Sequence, residues 1–170
     1  LLEWRLNNEY TFKSITSSRH DTSYAPIDFD SLNKVDFDVP AIYKNRQTSQ
    51  EFQLAFNTKG VQGLAGIYYI DANAYNKFDV RLLGTSTFTE GDVDTKAWAA
   101  FADASMDLSD TVSLSAGGRY TVDQRQAAIL RQIYLGTAGS PALGNPGATL
   151  FRTDTNLSKS DLDRNKKKFT

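Results

Sequence analysis

The chain has 170 residues, 40% of them hydrophobic and 23% charged, with a formal net charge of −1. It has no cysteine and a single histidine, His20, which excludes disulfides, thiolate metal centres and His-cluster metal sites. The balanced charge gives no electrostatic reason to bind nucleic acid, and no apolar run nears the roughly 18 residues of a transmembrane helix.

Leu2, Trp4 and Leu6 alternate with Glu3 and Arg5, the pattern of a strand tail, and Asn7-Asn8 is a tight-turn pair. A second strand is expected to about Ser18, with Tyr10, Phe12, Ser14 and Thr16 on one face. Thr11, Lys13, Ile15 and Ser17 fall on the other. Residues 19–46 form a long polar passage with Pro26, Pro40 and repeated Asp, predicted to be a loop carrying at most short strand extensions.

A third strand is predicted over residues 47–57, with Phe52, Leu54 and Phe56 opposite Glu51, Gln53 and Asn57. Thr58-Lys59-Gly60 turns it into a fourth, residues 61–72, which is apolar on both sides and leaves its orientation open. A second long loop is expected at 73–93. The hairpin over residues 94–123 has the clearest alternation. In its first arm Trp98, Ala100, Ala102, Ala104, Met106 and Leu108 share a face. In its second arm Val112, Leu114, Ala116, Gly118, Tyr120 and Val122 do, with a turn at Leu108-Ser109-Asp110 between them. A third loop is expected at about 131–165, and the final KKKFT reads as the lead into another strand.

Short turns and long loops therefore alternate along the chain, which in an antiparallel meander puts all short turns at one end and all long loops at the other. Loops above about 12–15 residues are uncommon in compact domains. Outer-membrane barrels show this asymmetry, and alternation hides their lipid face from the mean hydropathy of −0.44. The fold class predicted is all-β: an antiparallel up-and-down meander forming a section of a transmembrane β-barrel. The alternative is a soluble β-sandwich binding or adhesion module, whose apolar faces would meet across a core. A diffusion porin is a third possibility. Both ends read as cut, so residues 1–170 are expected to be part of a larger barrel domain.

Three stretches carry a family resemblance. They are SQEFQLAF (49–56) with GLAGIYYIDA (63–72), AWAAFADASMDLSDTVSLSAGGRYTVDQR (97–125), and YTFKSITSSR (10–19). In order and spacing they resemble the barrel domain of TonB-dependent receptors, and Gly117-Gly118-Arg119-Tyr120-Thr121 resembles that family's Gly-x-Arg-Tyr-Thr strand end. The resemblance implies a 22-strand bacterial outer-membrane barrel holding an N-terminal plug domain. It implies TonB-energised uptake of a scarce nutrient of the ferric siderophore, haem, cobalamin or oligosaccharide class. The partners implied are outer-membrane lipid, the plug of the same full-length receptor, TonB through an N-terminal region and the small-molecule nutrient. No cofactor is implied.

On this reading Lys13, Glu51, Gln53, Asp103, Arg119 and Asp123 are candidates to line the lumen, and Trp98, Met106, Leu114, Tyr120 and Val122 to face lipid. Arg119 is expected to pair with a carboxylate of the plug or a neighbouring strand, the adjacent glycines leaving room for its guanidinium. In the loop of residues 19–46, Tyr24, Phe29, Phe37 and Tyr43 are candidates to stack on a bound ligand. The Asp residues of that loop lack a calcium-loop pattern, and the basic run at 164–168 sits beside Asp161 and Asp163. No catalytic motif is present: Ser18-Arg19-His20-Asp21 is mere adjacency, and there is no G-x-S-x-G elbow.

Overall fold

The computed structural model describes residues 1–34, 36–109 and 111–170. The strands are β1 (Leu2–Arg5), β2 (Tyr10–Asp28), β3 (Phe37–Thr58), β4 (Val61–Leu82), β5 (Thr85–Ser109), β6 (Val112–Leu135), β7 (Leu150–Leu157) and β8 (Asp163–Phe169). All belong to one antiparallel sheet, in which β1 to β7 lie in chain order and β8 pairs with β6. β7 and β8 both run against β6, β7 along Ile129–Tyr134 and β8 along Tyr120–Gln126. They act as one long strand interrupted at residues 158–162.

The central strands are 19 to 25 residues long, well beyond the usual strand of about 5–6. Residues 19–46 and 73–93, expected as loops, are mostly strand. β2 continues to Asp28 and β3 begins at Phe37, so the connection shrinks to residues 29–36. β4 and β5 meet through Leu83 and Gly84 alone. Both have positive φ, 51° and 79°, the hairpin turn whose twist matches that of its strands. In the third expected loop only residues 136–149 form a long connection; β6 runs on to Leu135, and β7 and the start of β8 occupy much of the rest. The hairpin near residue 110 turns between Ser109 and Val112, with a register shift after Asp107; Asp110 lies outside the described residues.

The reason for the longer strands is solvation. Above residue 18 in β2 and residue 72 in β4, polar side chains occupy both faces, so the apolar alternation that marks a half-buried strand is absent although the pairing continues. The prolines fit because of where they fall. Pro26 lies opposite Pro40, and the β3–β4 ladder skips Val39 and Pro40, where proline has no N–H to donate.

Few side chains are buried, among them Ala41, Phe88, Ala99, Val122 and Tyr134. A sandwich would need a second sheet over the apolar face, and the described strands form a single layer. Phe52, Leu54, Ile67, Tyr69, Trp98, Met106 and Leu114 are instead exposed on that face.

Candidate functional site

The site is the wall itself, and the register defines its two faces. Tyr69 pairs with Trp98 and Trp98 with Val122; Ile67 with Ala100 and Ala100 with Tyr120. Ala65, Ala102 and Gly118 follow, then Gly63, Ala104 and Ala116, then Val61, Met106 and Leu114. On β3 the matching residues are Gln50, Phe52, Leu54, Phe56 and Thr58. Strand alternation puts all of these on one face, which settles the open orientation of the fourth strand: Ile67 and Tyr69 lie with Trp98, whereas Leu64, Tyr68 and Ile70 lie opposite. The band is five rungs deep. Trp98 and Tyr120 meet at its upper edge with ring centroids 5.7 Å apart, and Phe12 stacks on Phe52 at 6.0 Å.

All five lipid-face candidates therefore share this face. Trp98, Met106, Leu114 and Tyr120 are exposed, and Val122 is covered, flanked by Trp98 on β5 and Lys167 on β8. Leu114 sits at the lower edge of the band, in the rung next to the short turn; Leu54, Ala65, Ala102 and Gly118 form the middle rung.

The lumen candidates share the opposite face. Lys13 pairs with Glu3 at 3.2 Å, and Gln53 donates to Glu51 at 2.7 Å. Asp123 takes a two-pronged bond from Arg125, at 3.0 Å from Nε and 2.9 Å from Nη2. Arg119 lies over the Phe101 ring, 5.9 Å from its centroid, and donates through Nε to Thr121 Oγ1 at 3.1 Å. The expected neighbouring-strand carboxylate does not pair with it among the described residues. The glycines also play different parts from those expected. A Cβ at Gly117 would stand 2.6 Å from the Asp103 carboxylate, so Gly117 makes room for Asp103, and Gly118 faces the other way, toward Phe169.

The four aromatic ligand candidates do not converge. Phe29 and Phe37 stack on each other at 4.9 Å where the β2–β3 hairpin closes. Tyr24 pairs with Ile42 and Tyr43 with Ser23, which places the two tyrosines on opposite faces. Above the band on the polar face, Arg19, Asp21, Asn45, Gln47 and Thr95 line a hollow of about 260 Å³, where Asn45 donates to Asp21 at 2.9 Å.

Two clusters escaped the sequence reading. Lys159, from the break between β7 and β8, reaches back to β5, 2.9 Å from Asp92 and in direct contact with Asp94, to which Asn73 also donates. The Lys159 bond, with help from Asn73, holds the Asp94 carboxyl below its usual range, and both carboxylates push the Lys159 ammonium up. Higher still, residues 136–149 fold down onto β4 and β5. The Ser140 N–H donates to the fully buried Asp79 at 2.8 Å, Gly139 N–H to Ser86 Oγ at 3.1 Å, and Lys77 Nζ to Ala142 O at 3.0 Å. Only the three-dimensional return of the loop could reveal either cluster, since the partners are 53 to 67 residues apart in sequence by position (Ser86 to Gly139, Asp92 to Lys159).

A single-layer sheet with one apolar and one polar face, standing on short turns, is the wall of a membrane barrel. The family model described as TonB dependent receptor-like, beta-barrel matches residues 2–166. The chain belongs to the TonB-dependent receptor barrel family. No curated protein and no solved structure matches it. TonB-dependent receptors are transporters and receptors of the bacterial outer membrane rather than enzymes, and the family works with a plug domain and with TonB.

Proposed function

We propose that this wall belongs to a receptor for TonB-energised uptake of a scarce nutrient of the ferric siderophore, haem, cobalamin or oligosaccharide class. The observation that carries the reading is the five-rung apolar band. Strands of about 9–11 residues, tilted, span a bilayer, and the arm from Trp98 to Leu108 has that length. The face bearing Trp98, Met106, Leu114, Tyr120 and Val122 meets lipid. The face bearing Lys13, Glu51, Gln53, Asp103, Arg119 and Asp123 lines the lumen, where Arg119 and Asp103 are free to meet a plug.

The strands run about a dozen residues past the band, away from the Lys59-Gly60 turn and toward the end that carries the longer connections at residues 29–36 and 136–149; the longer loops of such barrels are extracellular. Nutrient contacts belong on the inner surface of that extension, at Arg19, Asp21 and Asn45, rather than on Tyr24, which faces outward. Haem, cobalamin, ferric catecholate, ferric hydroxamate and oligosaccharide uptake by cells carrying the full-length receptor tests the class. Growth on one of these that is lost with Arg19→Ala and Asn45→Ala, at unchanged receptor level, supports the reading. Uptake of every nutrient unaffected by both changes removes the inner-surface assignment.

A further inference from the structure

The basic run at 164–168 lies in β8, and strand alternation divides it between the two faces. Lys167 lies opposite Val122, on the outward face, and Asn165 and Asp163 share that side. Arg164, Lys166 and Lys168 lie opposite Arg125, Asp123 and Thr121, on the lumen face. The acids beside the run do not neutralise these three. Asp163 is on the other face, and Asp161 accepts bonds from the Ser158 N–H at 2.8 Å and hydroxyl at 2.7 Å. Asp123 is held by Arg125, and Arg164, Lys166 and Lys168 have no ion pair among the described residues.

The register stacks these cations at successive heights. The rung that holds Arg19 and Gln47 of the inner hollow runs on through Ala72 and Thr95 to Arg125 and Arg164. Two residues lower on the same face, the rung of Asp123 ends on Lys166, and the next, that of Thr121, ends on Lys168. Arg119 stands on the rung below. Thr121 and Asp123 bracket Val122, the outward partner of Trp98, so the column starts level with the hollow and descends past the upper edge of the apolar band. On β3, β4 and β5 the same four rungs carry one charge, Glu51, to which Gln53 donates. The cations are therefore gathered in one sector of the lumen wall.

Successive cations on one strand face stand about 7 Å apart, a gap that their long flexible stems bridge. An oxyanion held by one is within reach of the next. Passage needs binding strong enough to admit an ion and weak enough to release it, and several sites in series meet both demands where one tight site would trap the ion. A wall of one sign also concentrates counter-ions along itself. An uncharged solute gains nothing from such a column.

We propose that the β6–β8 sector is a transit ladder for an anionic nutrient, in which Arg164 takes an oxyanion from the level of the hollow and Lys166, Lys168 and Arg119 pass it down the lumen. The inference rests on the uptake reading above and narrows its ligand to the anionic members, ferric catecholates and haem with its carboxylates. Its test uses cells carrying the full-length receptor, supplied with a ferric tris-catecholate, haem, cobalamin, an uncharged ferric hydroxamate or a neutral oligosaccharide. The catecholate or haem is expected to be taken up. Lys166→Gln/Lys168→Gln should slow its uptake per inserted receptor about tenfold at saturating nutrient. Binding to energy-depleted cells should stay unchanged in that variant, and Lys166→Arg/Lys168→Arg should keep the rate. An unchanged rate in the glutamine variant, an equal loss in both variants, or a rate loss matched by lost affinity overturns the ladder and leaves the uptake reading standing. Uptake confined to the uncharged nutrients does the same. TonB-independent entry of vancomycin in the glutamine variant would make the two lysines plug anchors and also overturns it. Uptake of none of the five removes both readings.

Discussion

Strands β2 to β6 cross two regions built on one continuous ladder. From the Lys59-Gly60 turn up to the Trp98 rung, the outward face is mostly aliphatic or aromatic, and the opposite face carries Glu51, Gln53, Asp103 and Arg119 beside the apolar Leu64, Tyr68 and Ile70 of β4. Above the Trp98 rung, Asp71, Asn73, Asp92, Asp94 and Lys96 take over the outward face, and the backbone pairing carries on unchanged. The difference teaches that pairing and burial are separate quantities in this wall. The lower region is specified by which solvent each face meets. The upper region, wet on both sides, is held by its ladder, by ion pairs such as Lys96–Asp71 at 3.7 Å, and by the loop that folds onto Asp79.

The sharpest way to break this contrast is to place one charge in each region. In the full-length receptor, Leu54→Arg in the middle rung should cost about 2–4 kcal/mol, and Leu114→Arg at the band's edge about 0–1 kcal/mol. Gln126→Arg, on the same face but above the band, should stay within about 0.5 kcal/mol. Denaturant titration of the receptor refolded into lipid vesicles measures all three. Equal costs for Leu54→Arg and Gln126→Arg would mean that the two regions meet the same solvent.

Next in size is the loop anchor. Asp79→Ala leaves the buried Ser140 N–H without its acceptor, a loss of about 1–3 kcal/mol that should fall on residues 136–149 and spare the band. Hydrogen exchange should rise by one to two orders of magnitude in that loop and stay unchanged at Trp98. Exchange that rises equally in both would make the anchor part of a single cooperative unit.

The β4–β5 turn gives a smaller effect of opposite sign. Leu83 holds φ at 51°, a left-handed conformation that costs an ordinary side chain about 1–2 kcal/mol and that Asn tolerates. Leu83→Asn should therefore stabilise the upper hairpin by about 1 kcal/mol, seen as slower exchange in β4 and β5 above the band. Faster exchange would show that this exposed leucine packs on something beyond the wall.

The smallest effect is the Lys159 bridge, which is one-third exposed and worth no more than about 1 kcal/mol. Its pH dependence has a definite sign. Asp94 titrates lower in the fold than in the unfolded chain, so its contribution is present above about pH 4 and is lost as pH falls through the folded value. Lys159 titrates higher in the fold, so its contribution is present below about pH 10 and is lost as pH rises through the folded value. Proteolysis at residues 158–162 should be flat from pH 5 to 9, faster in acid, and faster throughout in Lys159→Met. A maximum of protection in acid would contradict the bridge.

The lower region was legible because alternation writes burial directly into the order of residues: Trp98 to Leu108 and Val112 to Val122 show their faces unaided. The fourth strand showed a limit, since Ile67 and Tyr68 are both apolar and only the pairing of Tyr69 with Trp98 says which face is which. The upper region was read as loop for the same physical reason. Where water wets both faces no side chain needs to alternate, and Pro26 and Pro40 look like breakers until they are found opposite each other. Arg119 was read as a polar-face cation awaiting a carboxylate of the plug or a neighbouring strand, and one strand cannot reveal the Phe101 ring beside it.

The shortness of the turns also bears on how such a wall comes to exist. Connections of two residues join β3 to β4 and β4 to β5, so each strand finds its neighbour by a local search with little loop entropy to lose. These ladders can close one pair after another from Gly60 upward and from Gly84 downward, like a zip run from both ends, without a distant encounter. The search that remains slow is the lateral one, in which outer edges such as β1 and β8 must find partners of their own, and assembly of the wall is paced there rather than in the hairpins.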